Sequence, residues 1–258
     1  MSSLDTYCNN FEYIRMERRD GILQMTLHCD GGPMRWNLQL QAELAQAFTA
    51  VGADRENRII ILTGTGDEFS GPRSDPQNSV FSLSGFGPTA AELEPVWWNA
   101  KRLITRLLDI DVPMIAVVNG PAKRHSELAL LCDIVIAADD ATFEDTAHFE
   151  LGGHVPGDGT NVIYTMLLGI NRARYFMLTG QVLSAKEAKE LGLVAELLPR
   201  ERLLPRAWEL ARKLATKSDP VLRYTRITLV DPLRKIMDDK MQYFLAMEAI
   251  GVIDQGRH

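Results

Sequence analysis

The sequence predicts an α/β fold: a core of alternating strands and helices, closed by a helical C-terminal region. Three observations predict it. Short apolar runs rich in Val and Ile recur along the chain, each ended by turn residues. Stretches with apolar residues at helical spacing lie between them. From Thr160 onward the pattern is nearly all helical. That order predicts one layered core over residues 1–199 and a helical region over 200–258.

Each element has its own signal. "GILQMTLHC" (21–29) alternates loosely and reads as a strand. "LQLQAELAQAFTAVG" (38–52) reads as a helix with a glycine stop. "NRIIILTGTG" (57–66) reads as a buried strand running into a glycine turn. "AAELEPVWWNAKRLITRLLDI" (90–110) predicts a second helix, with Pro95 in its first turn. "VPMIAVVNGPA" (112–122) and "CDIVIAADDATF" (132–143) predict two more strands, and "HSELALL" (125–131) a short buried helix between them. Further on, "SAKEAKELGLV" and the long segment 231–251 read as helices. No low-complexity linker or internal sequence repeat is visible.

Composition narrows the function classes. Apolar content of 46% and charged content of 24% are ordinary for a soluble globular chain of 258 residues. A net charge of −6 argues against nucleic acid or an anionic membrane as main partner. No apolar run approaches the roughly 20 residues of a membrane helix, and "MSSLDTYCNNFEY" lacks the pattern of a secretory signal. Cys8, Cys29 and Cys132 are odd in number and without CxxC spacing, so neither a disulfide framework nor a zinc site is suggested. The expectation is a reduced, cytoplasmic protein.

The densest chemistry lies in "HFELGGHVPGDG" (148–159), which holds two of five histidines, four glycines and one aspartate between glycines. A polar surface loop is one reading; a general base with its orienting partner is the other. Histidine titrates near ~6.5, and a carboxylate neighbour raises its basicity while fixing which nitrogen stays free.

Three stretches resemble a known family: "NRIIILTGTGDEFSGP", "VPMIAVVNGPAKRHSELALLCDIVIAADDATFED" and "LGGHVPGDGTNVIYTMLLGINRARYFMLTGQVLSAKEAKELGLVAELLP". The chain resembles the crotonase (enoyl-CoA hydratase/isomerase) superfamily from about residue 12 to its end, most specifically in "SELALLCDIVIAADDATF" and "TGQVLSAKEAKELGLV". The resemblance implies a crotonase-like spiral of ββα turns with a helical C-terminal trimerisation region, assembled as a homotrimer or dimer of trimers.

The departures are more informative than the match. The family binds an acyl-CoA thioester and holds its oxyanion with two backbone N–H groups. One comes from a loop that here reads "FSGPRSDPQ", where Pro72 removes a donor. The other comes from a Gly-Gly segment that here is replaced by Lys123, Arg124 and His125. A side chain at 125 would fill the space a glycine leaves for the thioester. Hydratases of the family use two glutamates; Glu127 retains the first, and His148 falls where the second would be, give or take a residue.

"GPAKRHSE", "ATFEDTAHF" and "VPGDG", with "RWN" (35–37) and "AMEAI" (246–250) more weakly, resemble the 6-oxocamphor hydrolase or β-diketone hydrolase branch. The resemblance implies His148 as general base and Asp158 as its partner. His125 and Trp36 would bind a carbonyl or the enolate, and Glu248 would close the pocket. The segment between His148 and Asp158 is about one residue longer than that pattern. No metal or organic cofactor is implied, and the partner is a small diketone, with neither nucleic acid nor membrane.

Each residue has a plainer reading. His148 as a structural histidine, Asp158 as a turn or N-cap residue, Trp36 as packing and Glu248 as a solvated helix residue would all be ordinary. Glu127 reads as a structural residue favourable to the dipole at the start of its helix, His125 as a residue packing against that helix, and His154 as a rival base. The alternative functions are acyl-CoA hydratase, isomerase or thioester hydrolase, and a non-catalytic binding protein of the same fold. No GxSxG elbow suggests a serine hydrolase.

Overall fold

A computed structural model describes residues 3–71, 88–150 and 153–255. Pro72 and His258 lie outside them. The main sheet is built from β1 (Ile14–Arg19), β2 (Ile22–Leu27), β3 (Ile59–Thr63), β4 (Met114–Val118), β5 (Ile134–Ala138) and β8 (Glu196–Leu198), adjacent in that order. β1 and β2 form an antiparallel hairpin and all later pairings are parallel. Parallel strands covered on both faces need continuous apolar sequence. "IIILT" in β3 and "MIAVV" in β4 supply it, with every residue buried.

A second, narrow ladder runs beside the main sheet. Arg35 bridges Gly71, Ser70 bridges Ala122, and Ala122 bridges Phe143. Phe143, in β6 (Thr142–Phe143), then pairs with Leu183 in β7 (Leu183–Ser184). Each turn of chain thus gives one long strand, one short bridging step and a helix. This is the ββα spiral that the resemblance implies. No sequence repeat announces it because the short steps are only one or two residues long.

Between the strands lie α1 (Leu38–Ala53), α2 (Ala90–Asp109) and α3 (Glu127–Leu130). Asn37 caps α1 by accepting the Leu40 N–H at 2.8 Å, and Thr89 with Glu92 forms a capping box on α2. That cap starts α2 at Ala90, so Pro95 sits inside the helix rather than in its first turn. Gly52 does not stop α1 either; the helix runs on to Ala53.

The C-terminal part holds α4 (Thr160–Leu168), α5 (Ile170–Thr179), α6 (Ala185–Glu190), α7 (Arg200–Leu214) and α8 (Asp219–Gln255). Among these helices β7 and β8 are strands that helical periodicity conceals, since two or three residues are too short to show a period. β1 escapes for another reason. "IRMERR" is mostly charged, but as an edge strand it turns Ile14, Met16 and Arg18 inward and leaves Arg15, Glu17 and Arg19 exposed. Arg18 is tolerated there because Asp54 and Asn57 accept from its guanidinium at 2.6 and 2.9 Å.

α8 is one helix, longer than 231–251, with Pro232 inside it. Two buried arginines moor it. Arg226 bonds Asp133 at 2.8 Å and the Ile110 carbonyl, and Arg223 bonds Asp111 and the Asn57 carbonyl. Removing one partner of such a pair would cost about 3–5 kcal/mol. The moorings hold α8 where its far end passes over the spiral and packs on α2. Among the described residues no helix is long and apolar enough to cross a membrane.

Candidate active site

Backbone pairing brings distant parts of the sequence together. The Ala122 N–H donates to the Thr142 carbonyl at 2.7 Å, and Glu144 N–H returns to the Ala122 carbonyl at 3.0 Å. Thr146 then gives both its N–H and its hydroxyl to the Lys123 carbonyl, at 3.1 and 2.7 Å. The loop carrying His125 and the loop carrying His148 therefore lie side by side. Trp36 joins them through the neighbouring step, where its N–H donates to the Gly71 carbonyl at 2.7 Å.

These loops form the polar floor of a cavity of about 750 Å³, its open mouth included. His125, Glu127, His148, His154, Asp158 and Glu248 line it, together with Arg124. The opposite wall is apolar, mainly Leu93, Val96, Trp97, Leu103 and Ile104 of α2, with Val252 of α8. Gly157 permits the closure by α8. A Cβ there would stand 2.5 Å from the Phe244 carbonyl and 2.8 Å from Glu248 Oε2.

His148 is buried. Its Nδ1 lies 2.7 Å from Asp145 Oδ1, and its Nε2 lies 3.5 Å from Asp158 Oδ2. The sequence reading made Asp158 the orienting partner, and the geometry corrects this. Asp145, three residues earlier in the same turn, takes the short bond, because a carboxylate at that spacing can fold straight back onto Nδ1. Asp145 thereby makes Nδ1 a donor in either charge state, and Nε2 is the nitrogen beside Asp158 that can give up or take a proton. "EDTAH" contained the signal, an acid at i−3 from the histidine.

Asp158 has a different place, between two imidazoles. Its Oδ2 is 3.3 Å from His125 Nδ1 and 3.5 Å from His148 Nε2. Its Oδ1 accepts the N–H of Thr160, the first residue of α4, at 3.2 Å. The N-cap position itself belongs to Gly159, at φ 103°.

His125 shows backbone strain. Its φ is 54°, in the left-handed region that glycine occupies freely and that costs other residues about 1–2 kcal/mol. The backbone there is glycine-like although the residue carries an imidazole. That ring stacks on Trp36 with centroids 3.6 Å apart and planes 27° apart, and its Nδ1 lies 2.8 Å from Glu127 Oε1. Glu127 is thus part of the polar floor and does more than open α3.

Neighbouring charge outweighs burial at both of these histidines. For His148, desolvation disfavours the cation, but Asp145 and Asp158 overcome it and hold the pKa well above the ordinary value. At His125 desolvation is likewise outweighed by Glu127 and Asp158, and the pKa is raised. Asp158 is desolvated too, yet His148 and His125 keep it a carboxylate, far below the usual range. Burial raises Glu127, with His125 opposing and Asp158 adding to the rise.

Glu248 is pushed up to about 8 by burial and by Asp158, against His148 and His125. Its Oε2 is buried with no hydrogen-bond partner among the described residues. It is therefore a largely neutral carboxyl at the cavity wall at neutral pH, contrary to the solvated reading. His154 behaves oppositely to His148. Burial and then the charges of His148 and Arg124 lower it to about 4.

His125, Glu127 and Asp158 offer ligand atoms within 4.8 Å of one another, a set that could hold a metal ion. The His125 Nδ1 proton alone accounts for its contacts with both carboxylates.

The sequence matches the enoyl-CoA hydratase/isomerase family over residues 17–249. The chain belongs to that family. A probable enoyl-CoA hydratase of Mycobacterium tuberculosis is 32% identical over 221 residues, spanning 82% of this chain and 74% of the relative. A solved β-diketone hydrolase from the cyanobacterium Anabaena sp., bound to (S)-3-oxocyclohexyl acetic acid, is 36% identical. It superposes with a TM-score of 0.91 over 96% of this chain and 97% of that one. An enoyl-CoA hydratase/isomerase from Mycobacterium paratuberculosis shares the fold at 22% identity, with a TM-score of 0.85 over 96% of each chain. The chain is a crotonase-superfamily protein of an enzyme family.

Proposed function

We propose that this protein hydrolyses the C–C bond of cyclic or bicyclic β-diketones, without CoA, by a retro-Claisen reaction giving a keto acid. One observation carries the reading. His125, strained and stacked on Trp36, lines one cavity with a buried His148, and Asp158 stands between the two imidazoles, 3.3 Å from His125 Nδ1 and 3.5 Å from His148 Nε2. The likeness to the Anabaena β-diketone hydrolase supports it.

A water at Nε2 attacks one carbonyl carbon of the 1,3-diketone and gives its proton to His148. Asp145 fixes the base and Asp158 shares the cation's charge. The tetrahedral adduct collapses with cleavage of the bond to the central carbon, and the electron pair passes to the second carbonyl as an enolate. Donors in a water-poor site are worth about 3–4 kcal/mol each to such an oxyanion. The Trp36 indole N–H and His125 are the donors we assign to it. The proton on His148 returns to the enolate carbon, so the net change is addition of one water. The apolar wall of α2 suits a compact hydrocarbon skeleton.

Because the neighbouring carboxylates hold the His148 pKa well above the ordinary value, the reactive neutral fraction grows as pH rises. The test is loss of a bicyclic 1,3-diketone with appearance of a keto acid, no cofactor added, for wild type and His148→Ala. Turnover by wild type only is expected; no turnover by either protein overturns the reading.

The second reading, acyl-CoA hydration, isomerisation or thioester hydrolysis, draws on Glu127 and on relatives such as the mycobacterial protein. Crotonyl-CoA binding by the wild type would favour it. For assembly we propose a homotrimer or dimer of trimers, supported by exposed Ile170, Tyr175 and Leu178 on α5 and Tyr224 and Leu229 on α8. Light scattering giving a monomer mass would overturn that.

A further inference from the structure

Helical spacing gives α2 two working faces. Leu93, Val96, Ala100 and Ile104, three or four residues apart, line the reaction cavity. Glu94, Trp98 and Lys101 line a second recess of about 600 Å³, its open mouth included. One residue along a helix is a rotation of about 100°, so the two faces are neighbours, and Trp97 belongs to both. α8 repeats the division. Glu248 and Val252, one turn apart, face the cavity, while Gln242, Leu245 and Ala246 face the recess.

The half-buried Trp97 indole is thus the side chain that the two spaces share. Its neighbour Trp98 is exposed and carries the Arg102 guanidinium 5.9 Å from its ring centroid. Leu245 is buried, whereas Glu94 and Gln242 are exposed, so the recess is apolar at its inner end and polar at its mouth. We propose that Trp97 sets the size limit of the substrate, and that the recess between α2 and α8 is a subsite for an apolar substituent, shut off from the reaction cavity by its indole.

As a statement about substrate this rests on the diketone reading. The α2 wall stands opposite the polar floor. A cyclic diketone with both carbonyls on the floor therefore turns towards α2 the ring carbon farthest from them, and a chain on that carbon meets Trp97. A methyl group can lie against the indole; a pentyl chain needs the space that the indole fills. Removing the indole joins cavity and recess. Each methylene then buried is worth about 4-fold in affinity, so half-burial of four of them in an open recess gives roughly 10-fold.

The probes are 4-methylcyclohexanone and 4-pentylcyclohexanone, inert ketones whose chain leaves the ring opposite the carbonyl, with binding measured by calorimetry. The matching substrates are 2,2,5-trimethylcyclohexane-1,3-dione and its 5-pentyl analogue. Wild type should bind the methyl ketone at least about 10-fold more tightly than the pentyl ketone, with the same order in kcat/KM for the diones. Trp97→Ala should reverse the order, to about 10-fold in favour of pentyl. Leu93→Ala, which widens the same wall at a residue outside the recess, should not reverse it. Adding Ala246→Trp to Trp97→Ala refills the recess from α8 and should cancel the gain. Tighter binding of the pentyl ketone by wild type overturns the proposal without any variant having to fold. So does an unchanged methyl preference in Trp97→Ala, or a pentyl preference that survives Ala246→Trp. In each case dione cleavage by the wild type would leave the hydrolase reading standing. If wild type cleaves neither dione while Trp97→Ala binds the pentyl ketone more tightly than the methyl, the subsite survives and the reaction assignment falls.

Discussion

His148, buried, and His154, half-buried, lie six residues apart and line one cavity, and their surroundings shift them in opposite directions. Desolvation pushes each towards neutrality. At His148 it meets Asp145 at 2.7 Å and Asp158 at 3.5 Å, and the imidazole is held well above its ordinary pKa. At His154 it is joined by the positive charges of His148 and Arg124, and the imidazole falls to about 4. Burial alone therefore does not decide protonation here: at His148 neighbouring carboxylates outweigh it, and at His154 it prevails with neighbouring cations adding to it. Two imidazoles of one cavity thereby differ in basicity.

The largest expected effect breaks the comparison outright. His148→Ala should lower diketone turnover by about 10³-fold or more, within the usual range for a general base, whereas His154→Ala should cost roughly 10-fold. Near-normal steady-state rates for His148→Ala, with a deep loss for His154→Ala, would transfer the base to His154.

His125→Gly should lose about 100-fold in kcat yet keep stability within about 1 kcal/mol of wild type. Relief of the left-handed strain offsets the lost stacking on Trp36. Chemical denaturation checks the second half; a large loss of stability would show that the loop depends on the imidazole for its shape.

The carboxylates sharpen the electrostatic half of the comparison. kcat/KM should rise with pH along a limb displaced to the alkaline side of ordinary histidine, because only neutral His148 accepts the proton. Asp145→Asn should move that limb towards lower pH, and Asp158→Asn should move it in the same direction by less. A limb unmoved in both variants would mean that another group titrates.

The smallest effect concerns Glu248. Its folded pKa of about 8 exceeds its unfolded value of ~4.5, so the folded state binds the extra proton. Stability from this group is therefore present below about pH 4.5 and is lost as pH rises through about 8. Glu248→Gln should flatten that decline in melting temperature, and an unchanged pH profile would assign the loss elsewhere.

Much of this molecule was determined by local sequence. The buried strands β3, β4 and β5 are legible because parallel strands covered on both faces leave no room for polar residues, and α1 and α2 because one face repeats at helical spacing. His148, Asp158, His125, Trp36 and Glu248 were legible as candidates, and the fold does bring all five to one cavity. Contacts between segments far apart in the chain were another matter. That Asp145 rather than Asp158 orients His148, that Glu127 reaches His125, and that α8 carries a neutral Glu248 over Gly157 depend on how loops 122–125 and 144–148 dock and where buried arginines moor a helix. Periodicity reports only which face of an element is buried. Protonation depends on which charges lie within a few ångströms, and only the tertiary structure sets those distances.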